Sequence, residues 1–364
     1  MNRITKIRTA KATRVVLFGW TLLSLYLPND SYGATSAEVL KSYDRLTGQE
    51  REAKLVEGAK REAKLVYYGS MLVDQMKRVL DEFNKKYPFI TVSSYRAGAL
   101  DVYNRITTEA LAKRYEVDVA EMDPGEVFNL VKAGLVDPYR SPSRKGIMEE
   151  FMDKEGYWTA FYHLTMVLGY NPKLVKKEEA PKSYEEVLDP KWKGKISLDT
   201  DDVNVMGTLL DYWGKEKGLA YYRKLAENDP VIRRGKNLQA QILSAGDISV
   251  APFLYGFQPL LLKQKGAPVE INLLNPTLSS PSYLVLVKNA SRPHAAALFL
   301  DWALSQEGPM RILTEEFGRG VPRSGYKERF PQLSVSKYLA TSPEKIGPYY
   351  LEYRKTYCEI FKHC

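Results

Sequence analysis

Apolar and polar residues follow two different periods along the first third of the chain. Residues 65–68, 90–95 and 117–122 are short apolar or alternating runs that predict three β-strands. A stripe at the spacing of a half-buried helix separates the first two; its members are Met76, Val79, Leu80 and Phe83. A similar stripe follows the second strand, and Asp123 and Pro124 open a third helix. This alternation, with its short connections, favours a mostly parallel, doubly wound α/β sheet.

The remainder of the chain continues the alternation. Residues 165–170 form an uncharged apolar run, which predicts a buried strand or a crossover between two parts of the molecule. Later helices are predicted near residues 205–213, 219–227, 238–244 and 295–302, and later strands near 248–253 and 282–287. Residues 318–322 are predicted to be irregular and exposed. Residues 331–364 are predicted to form a tail that wraps the body.

The segment at residues 170–199 predicts a strand end, a turn, a capped helix, a tight turn and a strand. Pro172 ends the apolar run because proline lacks an amide donor. Ser183 and Glu186 have the spacing of a capping box, in which each side chain accepts from the other residue's amide. Pro190 then ends the predicted helix.

The first 33 residues predict a signal peptide. Basic side chains precede an apolar run at residues 15–27 that is short for a membrane span. Ser31 and Gly33 place small residues at the two positions that a signal peptidase reads. Cleavage near Gly33 and a periplasmic location are therefore expected, with a retained membrane anchor as the alternative.

Charge and cysteine content narrow the function classes. Removing residues 1–33 takes away five positive charges and one negative charge, so the formal net charge falls from +9 to +5. The remaining basic residues lie beside acids, as on solvated helix faces, and no nucleic-acid partner is expected. Cys358 and Cys364 are able to form a disulfide only if the chain curls between them. A zinc site using His363 is disfavoured, since no further ligands occur at zinc-site spacing in the sequence.

Five segments carry a family resemblance. In chain order they are KLVYYGS, YRAG, VDVAEMDPGEVFNLVKAGLVDPY, the segment at residues 170–199, and PSYLVLVKNASRPHAAALFLDWALSQEG. Together they cover most of residues 64–322. The set resembles the extracellular (periplasmic) solute-binding proteins of ABC transporters, of the two-lobed type II fold, in the iron-type, family 1-related clade.

The resemblance implies a binding protein, not an enzyme, with two α/β lobes joined by a hinge that closes on a solute. Lobe one is expected to comprise residues 61–165 and 277–330, and lobe two residues 166–276. A lead-in helix at residues 34–60 precedes them, and the tail at residues 331–364 follows. The implied partners are a small solute and an ABC permease in the inner membrane. The protein is expected to act as a monomer without a cofactor.

Candidate solute contacts follow from the strand ends, because ligands of doubly wound sheets bind at the carboxyl ends of strands. The residues selected in this way, together with His163 before the crossover, are Ser70, Met71, Tyr95, Arg96, Asp123, Asp199, Thr200 and Tyr255.

Each candidate also has a structural interpretation. Arg96 has the planar fork that clamps a carboxylate or phosphate, or it is a solvated loop arginine. Ser70 and its neighbouring amides either cap an anion at the following helix or form a simple turn. Asp199, with Asp201 and Asp202, either meets a cation or caps a helix. Tyr255 contacts the solute or packs in the core, and His163, in an aromatic run, is predicted to be structural.

The favoured solute is a small anionic or zwitterionic organic molecule; ferric iron is the alternative, and a polyamine or another cation also stays open. Ferric-binding members of the family resemble each other in two adjacent tyrosines on the strand-end loop of lobe two. The corresponding residues 253–257 contain one tyrosine, Tyr255, followed by Gly256. No resident metal site is predicted.

Two other functions, a secreted enzyme and a solute sensor, are the alternatives to a transport protein. A secreted enzyme would need a nucleophile with a base, or a metal site, and the sequence has no GxSxG, HExxH, GxxxxGK[ST] or helix-opening GxGxxG motif. Glu121 and Asp123 are the pair that acid–base chemistry would use. A solute sensor on the same fold is not separated from an importer by the sequence.

Overall fold

The computed structural model describes residues 35–43, 45–46, 48–323 and 325–363. The predicted signal peptide with its cleavage site near Gly33, and the cysteine partner Cys364, lie outside these residues. Within them, every helix is too short or too polar to traverse a lipid bilayer.

Helices and strands occur along the described chain, and they alternate strictly between residues 64 and 137. The helices are α1 Ser36–Lys41, α2 Gly48–Glu62, α3 Val73–Lys86, α4 Ala99–Leu111, α5 Pro124–Lys132, α6 Val203–Trp213, α7 Lys215–Glu227, α8 Lys236–Ala245, α9 Phe257–Gln264, α10 Pro293–Ala303, α11 Pro343–Ile346 and α12 Tyr350–Phe361. The strands are β1 Lys64–Gly69, β2 Thr91–Arg96, β3 Val119–Met122, β4 Val136–Asp137, β5 Thr159–Tyr170, β6 Ser197–Asp199, β7 Val231–Arg233, β8 Val250–Tyr255, β9 Glu270–Asn272, β10 Leu278–Val287 and β11 Leu339–Ala340.

The main sheet has the strand order β2-β1-β3-β10-β5-β8, and a separate two-stranded sheet pairs β6 with β7. β1 is parallel to β2 and to β3, as the strand–helix alternation predicts. β10 is antiparallel to β3 and β5, and β5 is antiparallel to β8. The α/β fold is therefore as expected, but the pairing is mixed. It is parallel in the β2-β1-β3 part, between β6 and β7 and between β10 and β11, and antiparallel between the other paired strands. The reason is that β5 and β10 carry the chain across the molecule in opposite directions.

β5 changes partners along its length. Up to Thr165 it pairs with β10, and from Met166 it pairs with β8 and β9. Because successive strand residues face opposite sides, Val167 joins one hydrophobic core while Met166 and Leu168 join another. The crossover predicted for the apolar run at residues 165–170 is thus a continuous buried strand.

Two hydrophobic cores result. The first, larger core lies on both faces of β1, β3 and β10, beneath α3 and α10, and includes the packed rings of Phe83, Phe299 and Trp302. The second cluster is defined here as the core around Tyr184, Tyr222 and Phe253. It is built by β6, α6, α7, α12 and one face of β8.

The segment at residues 170–199 matches its predicted order with one difference. Ser183 Oγ accepts from the Glu186 amide at 3.2 Å, but the Glu186 carboxylate accepts from the Lys182 amide at 2.8 Å, so only half of the predicted capping box forms. The helix that follows is a single 3₁₀ turn, Glu185–Leu188. Pro190 begins a second 3₁₀ turn directly afterwards, which leaves no room for a longer helix.

Candidate functional site

The carboxyl ends of β1 and β3 lie side by side, since Gly69 pairs with Glu121. The register brings Ser70 and Met71 close to the end of β3. From there the chain enters α5, with Asp123 at the N-cap position. The strand-end rule therefore assembles part of the predicted site.

The Glu121 carboxylate occupies the position beside Ser70 that the sequence offers to an anion as one of two alternatives. Its Oε2 accepts from the amides of Ser70, at 2.8 Å, and Met71, at 3.0 Å. Its Oε1 accepts from the hydroxyls of Ser70, Tyr162 and Ser282. Glu121 is fully buried. The amides before α3 are thus capped by the chain's own carboxylate, and Glu121 is not placed to act as an acid–base partner of Asp123.

Arg96 and Tyr95 are engaged by other residues of the chain. The exposed Arg96 guanidinium donates to the carbonyls of Met71, at 3.1 Å, and Ser70, at 3.2 Å, so it braces the turn. Tyr95 packs beneath the Arg105 guanidinium, 4.1 Å from the ring centre, beside Tyr68. It lines a surface cavity of about 710 Å³ between β2 and α4.

Three carboxylates form the centre of the candidate site, and we call Asp123, Glu126 and Asp201 the acidic cluster. Burial raises the pKa of Asp123 well above its ordinary value, and the charges of Glu126, Glu121 and Asp201 raise it further. Burial likewise raises the pKa of Glu126 to about 7. Asp123 is itself only half-buried. Glu126 is buried, whereas the Asp201 side chain is 55% exposed and pairs with Arg234 at 3.5 Å. The three carboxylates lie close enough for their charges to repel one another.

Tyr255 and Arg319 flank the acidic cluster. Tyr255, at the end of β8, is half-buried, and its pKa is raised by burial and then by the charge of Asp123. The buried Arg319 guanidinium lies 4.1 Å from the Tyr162 ring centre and donates twice to Gln75 Oε1, at 3.0 and 2.6 Å. Its charge lowers the pKa of Asp123, after the larger opposing contributions. The prediction that residues 318–322 are exposed is wrong: Arg319, Val321 and Pro322 are buried, and the two glycines are half-buried.

Asp199 and Thr200 are engaged in backbone structure. The Asp199 carboxylate accepts from the Gly235 amide at 3.1 Å and from the Asp201 amide at 3.1 Å. The Thr200 amide donates to the carbonyl of Arg233 at 3.4 Å. Asp202 forms a buried ion pair with Lys236. Of this loop, Asp201 is the carboxylate that reaches the acidic cluster.

His163, for which the sequence leaves a solute contact and a structural role open, is enclosed by its neighbours. It is buried, its Nδ1 shares a 3.0 Å hydrogen bond with Ser279 Oγ, and its ring packs against Phe151 and Tyr338. Burial lowers the pKa of His163 to about 4, so the side chain is neutral near pH 7.

Acid should therefore destabilise the protein through His163. The unfolded chain accepts a proton near pH 6.5, whereas the folded chain resists protonation down to about pH 4. Lowering the pH from 7.5 to 4.5 is expected to remove roughly 2–3 kcal/mol of stability through this residue. His163→Gln should lose correspondingly less than the parent over that range in urea unfolding. The exposed His363→Gln should behave like the parent; equal pH losses in all three proteins would contradict the assignment.

Sequence reasoning missed Glu126, Arg319 and Tyr350. Glu126 lies three residues after Asp123 on α5, a spacing that places both on one helix face and so was available as a signal. Arg319 and Tyr350 reach the site from distant parts of the chain, and no local pattern marks them. The electrostatic influence of Tyr350 on Glu126 identifies it.

Neither a ready metal site nor the large cavity of the described residues coincides with Asp123 and Tyr255. Within the described ranges, no group of three or more His, Cys, Asp and Glu side chains is arranged to hold a metal ion. A cavity of about 1070 Å³ lies between residues 140–158 and 338–345, away from Asp123 and Tyr255. The candidate site lies instead where strand ends and charged side chains meet, around Asp123 and Tyr255.

Comparisons with known proteins agree with this fold. Residues 118–333 match the profile of a family described as bacterial extracellular solute-binding protein. "Iron uptake protein A1" of Synechocystis sp. is 24% identical over 280 residues, covering 71% of this chain and 76% of its own length. The FutA structure from Trichodesmium, in complex with iron and citrate, has a TM-score of 0.70 at 20% identity, covering 82% of this chain and 99% of its own.

A sugar-phosphate complex is also similar in structure. AfuA from Actinobacillus pleuropneumoniae, with fructose-6-phosphate bound, has a TM-score of 0.68 at 22% identity, covering 83% of this chain and 99% of its own. At such identities the likeness to either structure establishes the two-lobed type II fold and leaves the solute open.

Proposed function

Because the chain belongs to the family of bacterial extracellular solute-binding proteins, we propose that it captures a cationic solute for an ABC importer, with ferric iron as the first candidate. The family and its structural neighbours are transport binding proteins, not enzymes. The observation that carries the proposal is the acidic cluster with Tyr255 beside it. Carboxylate and phenol oxygens are hard donors that suit a highly charged, hard cation.

The same residues argue against the anionic solute favoured from the sequence. The helix-end amides that would hold an anion are bonded to Glu121. Arg96 is bonded to backbone carbonyls, and Arg319 is bonded to Gln75. An anion would therefore meet carboxylates that already repel one another, whereas a cation would relieve that repulsion.

Iron would need oxygen ligands beyond those of the chain, because the described residues hold no preformed His, Cys, Asp and Glu metal cluster. Tyr255 supplies one phenol where ferric-binding relatives are expected to have two. The related Trichodesmium protein is reported with iron and citrate together. We therefore propose that iron enters as a complex with a small carboxylate, which completes its coordination.

Hinge closure is part of the proposal. We place lobe one at residues 61–165 and 277–330 and lobe two at residues 166–276, with the boundary where β5 changes partners. Asp123 belongs to the first lobe so defined, and Asp201 and Tyr255 to the second. A solute held by both sides favours the closed form, which then docks on the permease.

The test is a titration of the protein with ferric citrate, citrate alone, spermidine and fructose 6-phosphate. Ferric citrate is expected to raise the melting temperature and to produce the visible absorption of an iron–phenolate bond. Tyr255→Phe should abolish that absorption, and Asp123→Asn should weaken binding by roughly 100-fold. Asp101→Asn, on the first turn of α4, is the matched control and should bind as the parent does.

The outcomes separate the solute classes. A response to spermidine without one to ferric citrate would support a cationic solute and exclude iron as that solute. Equal responses to citrate alone, or a response confined to fructose 6-phosphate, would overturn the cationic proposal.

A further inference from the structure

The C-terminal segment bridges two parts of the molecule that the hinge would separate. On one side, Gly347 packs against the Phe128 ring of α5, and Gly125 of α5 lies flush against the Tyr350 ring. On the other side, Gly207 of α6 lies against the Tyr353 ring. A Cβ atom on Gly125 or Gly207 would lie 2.8 Å from the facing ring. These glycines allow the segment to lie directly on both helices.

Polar contacts hold the segment to α6 and α7. Thr341 and Thr208 share a hydrogen bond of 2.9 Å between their hydroxyls. Lys345 pairs with Asp211 at 2.9 Å, and Glu352 pairs with Lys215. α12 is thus fixed on the side of the second cluster.

One face of α12 is aromatic and buried; its members are Tyr350, Tyr353, Tyr357 and Phe361. The last two pack against Tyr222 inside the second cluster, and the Tyr357 hydroxyl donates to the Asp199 carbonyl at 2.8 Å. This bond ties α12 to the loop that presents Asp201. Tyr350, at the other end of the face, reaches the acidic cluster instead.

Tyr350 lies next to Glu126. The pKa of Tyr350 is raised by burial and then by the charge of Glu126, with a smaller contribution from Asp123. The Tyr350 hydroxyl in turn lowers the pKa of Glu126, against the larger effect of burial. Glu126 is 4% exposed, and its buried Oε2 has no hydrogen-bond partner among the described residues. An unpaired buried acceptor is costly and is satisfied when a solute donor or cation meets it.

From these contacts we infer that α12 forms a wall of the solute site, in which Tyr350 positions the Glu126 carboxylate toward the solute. The inference rests on the proposed function for the location of the site, and it adds a residue from outside both lobes. Tyr350 acts as a positioning residue: it holds Glu126 while Glu126 Oε2 remains available.

The test compares Tyr350→Phe with Tyr353→Phe, two changes that each remove one hydroxyl from the same face of α12. The titration uses ferric citrate, spermidine and fructose 6-phosphate on the full chain. Tyr350→Phe is expected to weaken binding of the recognised probe about tenfold. Tyr353→Phe should leave binding within about twofold, and both variants should unfold in urea near the parent midpoint. Binding changed equally by both variants, or by neither, would overturn the inference.

Gly125→Ala provides a second variant if Tyr350→Phe fails to fold. Its methyl group displaces the Tyr350 ring without touching the hydroxyl chemistry of α12, and it should weaken binding in the same direction.

The two proposals fail separately. If the parent binds fructose 6-phosphate and Tyr350→Phe weakens that binding, the role of α12 at the site is supported and the proposal of a cationic solute is overturned. If the parent binds a cation and Tyr350→Phe leaves that binding unchanged, the proposal of a cationic solute is supported and the role of α12 at the site is overturned. A parent that binds none of the three probes would overturn both.

Discussion

Lys236→Met is expected to destabilise the protein by roughly 3–5 kcal/mol at neutral pH. The Lys236 ammonium and the Asp202 carboxylate form an ion pair whose side chains are 8% and 1% exposed. Removing the ammonium leaves a buried carboxylate with the Asp199 amide as its remaining partner, at 2.9 Å. Burial already raises the pKa of Asp202 to about 6. Urea unfolding at pH 7.5 measures the loss.

The destabilisation should shrink in acid. In the variant the folded-state pKa of Asp202 rises further, so the folded chain holds a proton that the unfolded chain releases above about pH 4. Stability of the variant relative to the parent should therefore increase as the pH falls from 7.5 to 5. Lys263→Met, which removes an exposed pair with Glu270, is the control and should cost less than about 1 kcal/mol. Equal costs in the two variants would show that the buried pair contributes no more than the surface pair.

Glu121→Gln should be nearly as damaging, at roughly 2–4 kcal/mol, although it preserves the shape of the side chain. A carboxylate accepts on both oxygens, whereas an amide presents donors on one side. In either orientation of the glutamine, donors from β10, β5 or the turn before α3 face an NH₂ group. The turn at Ser70 and Met71 loses its cap, so urea unfolding should show the loss directly.

The matched control for this change is Glu57→Gln on α2. Its carboxylate pairs with Arg61 one turn away, and both side chains are exposed. Such a pair contributes about 0.2–0.5 kcal/mol. If Glu121→Gln were no more destabilising than Glu57→Gln, the buried hydrogen bonds of Glu121 would contribute no more to stability than a surface ion pair. The claim that Glu121 caps the turn at Ser70 and Met71 would then be wrong.

Local periodicity was enough to predict most strands and helices, and the strand ends pointed to two residues of the candidate site. The helix spacing of Met76 and Phe83, and the turn at Asp123, are properties of neighbouring residues and so are visible in one sequence. Asp123 and Tyr255 follow from a rule about strand ends, which needs only the strand boundaries.

Long-range pairing could not be predicted in the same way. The sequence leaves open whether the amides of Ser70 and Met71 hold an anion or form a simple turn, because nothing nearby marks Glu121 as their partner. That partnership depends on the parallel register of β1 and β3. The antiparallel position of β10 likewise depends on where a distant strand returns, which no local pattern reports. Tyr350 reaches the site only because the C-terminal segment folds back over α5.

The aromatic face of α12 also determines when, during synthesis, the chain is able to finish folding. Tyr357 and Phe361 complete the core around Tyr222, which is translated much earlier. Until they emerge from the ribosome, that apolar surface stays uncovered and the nascent chain remains incompletely folded. The second cluster is therefore expected to be completed late, after residues 350–361 have been translated.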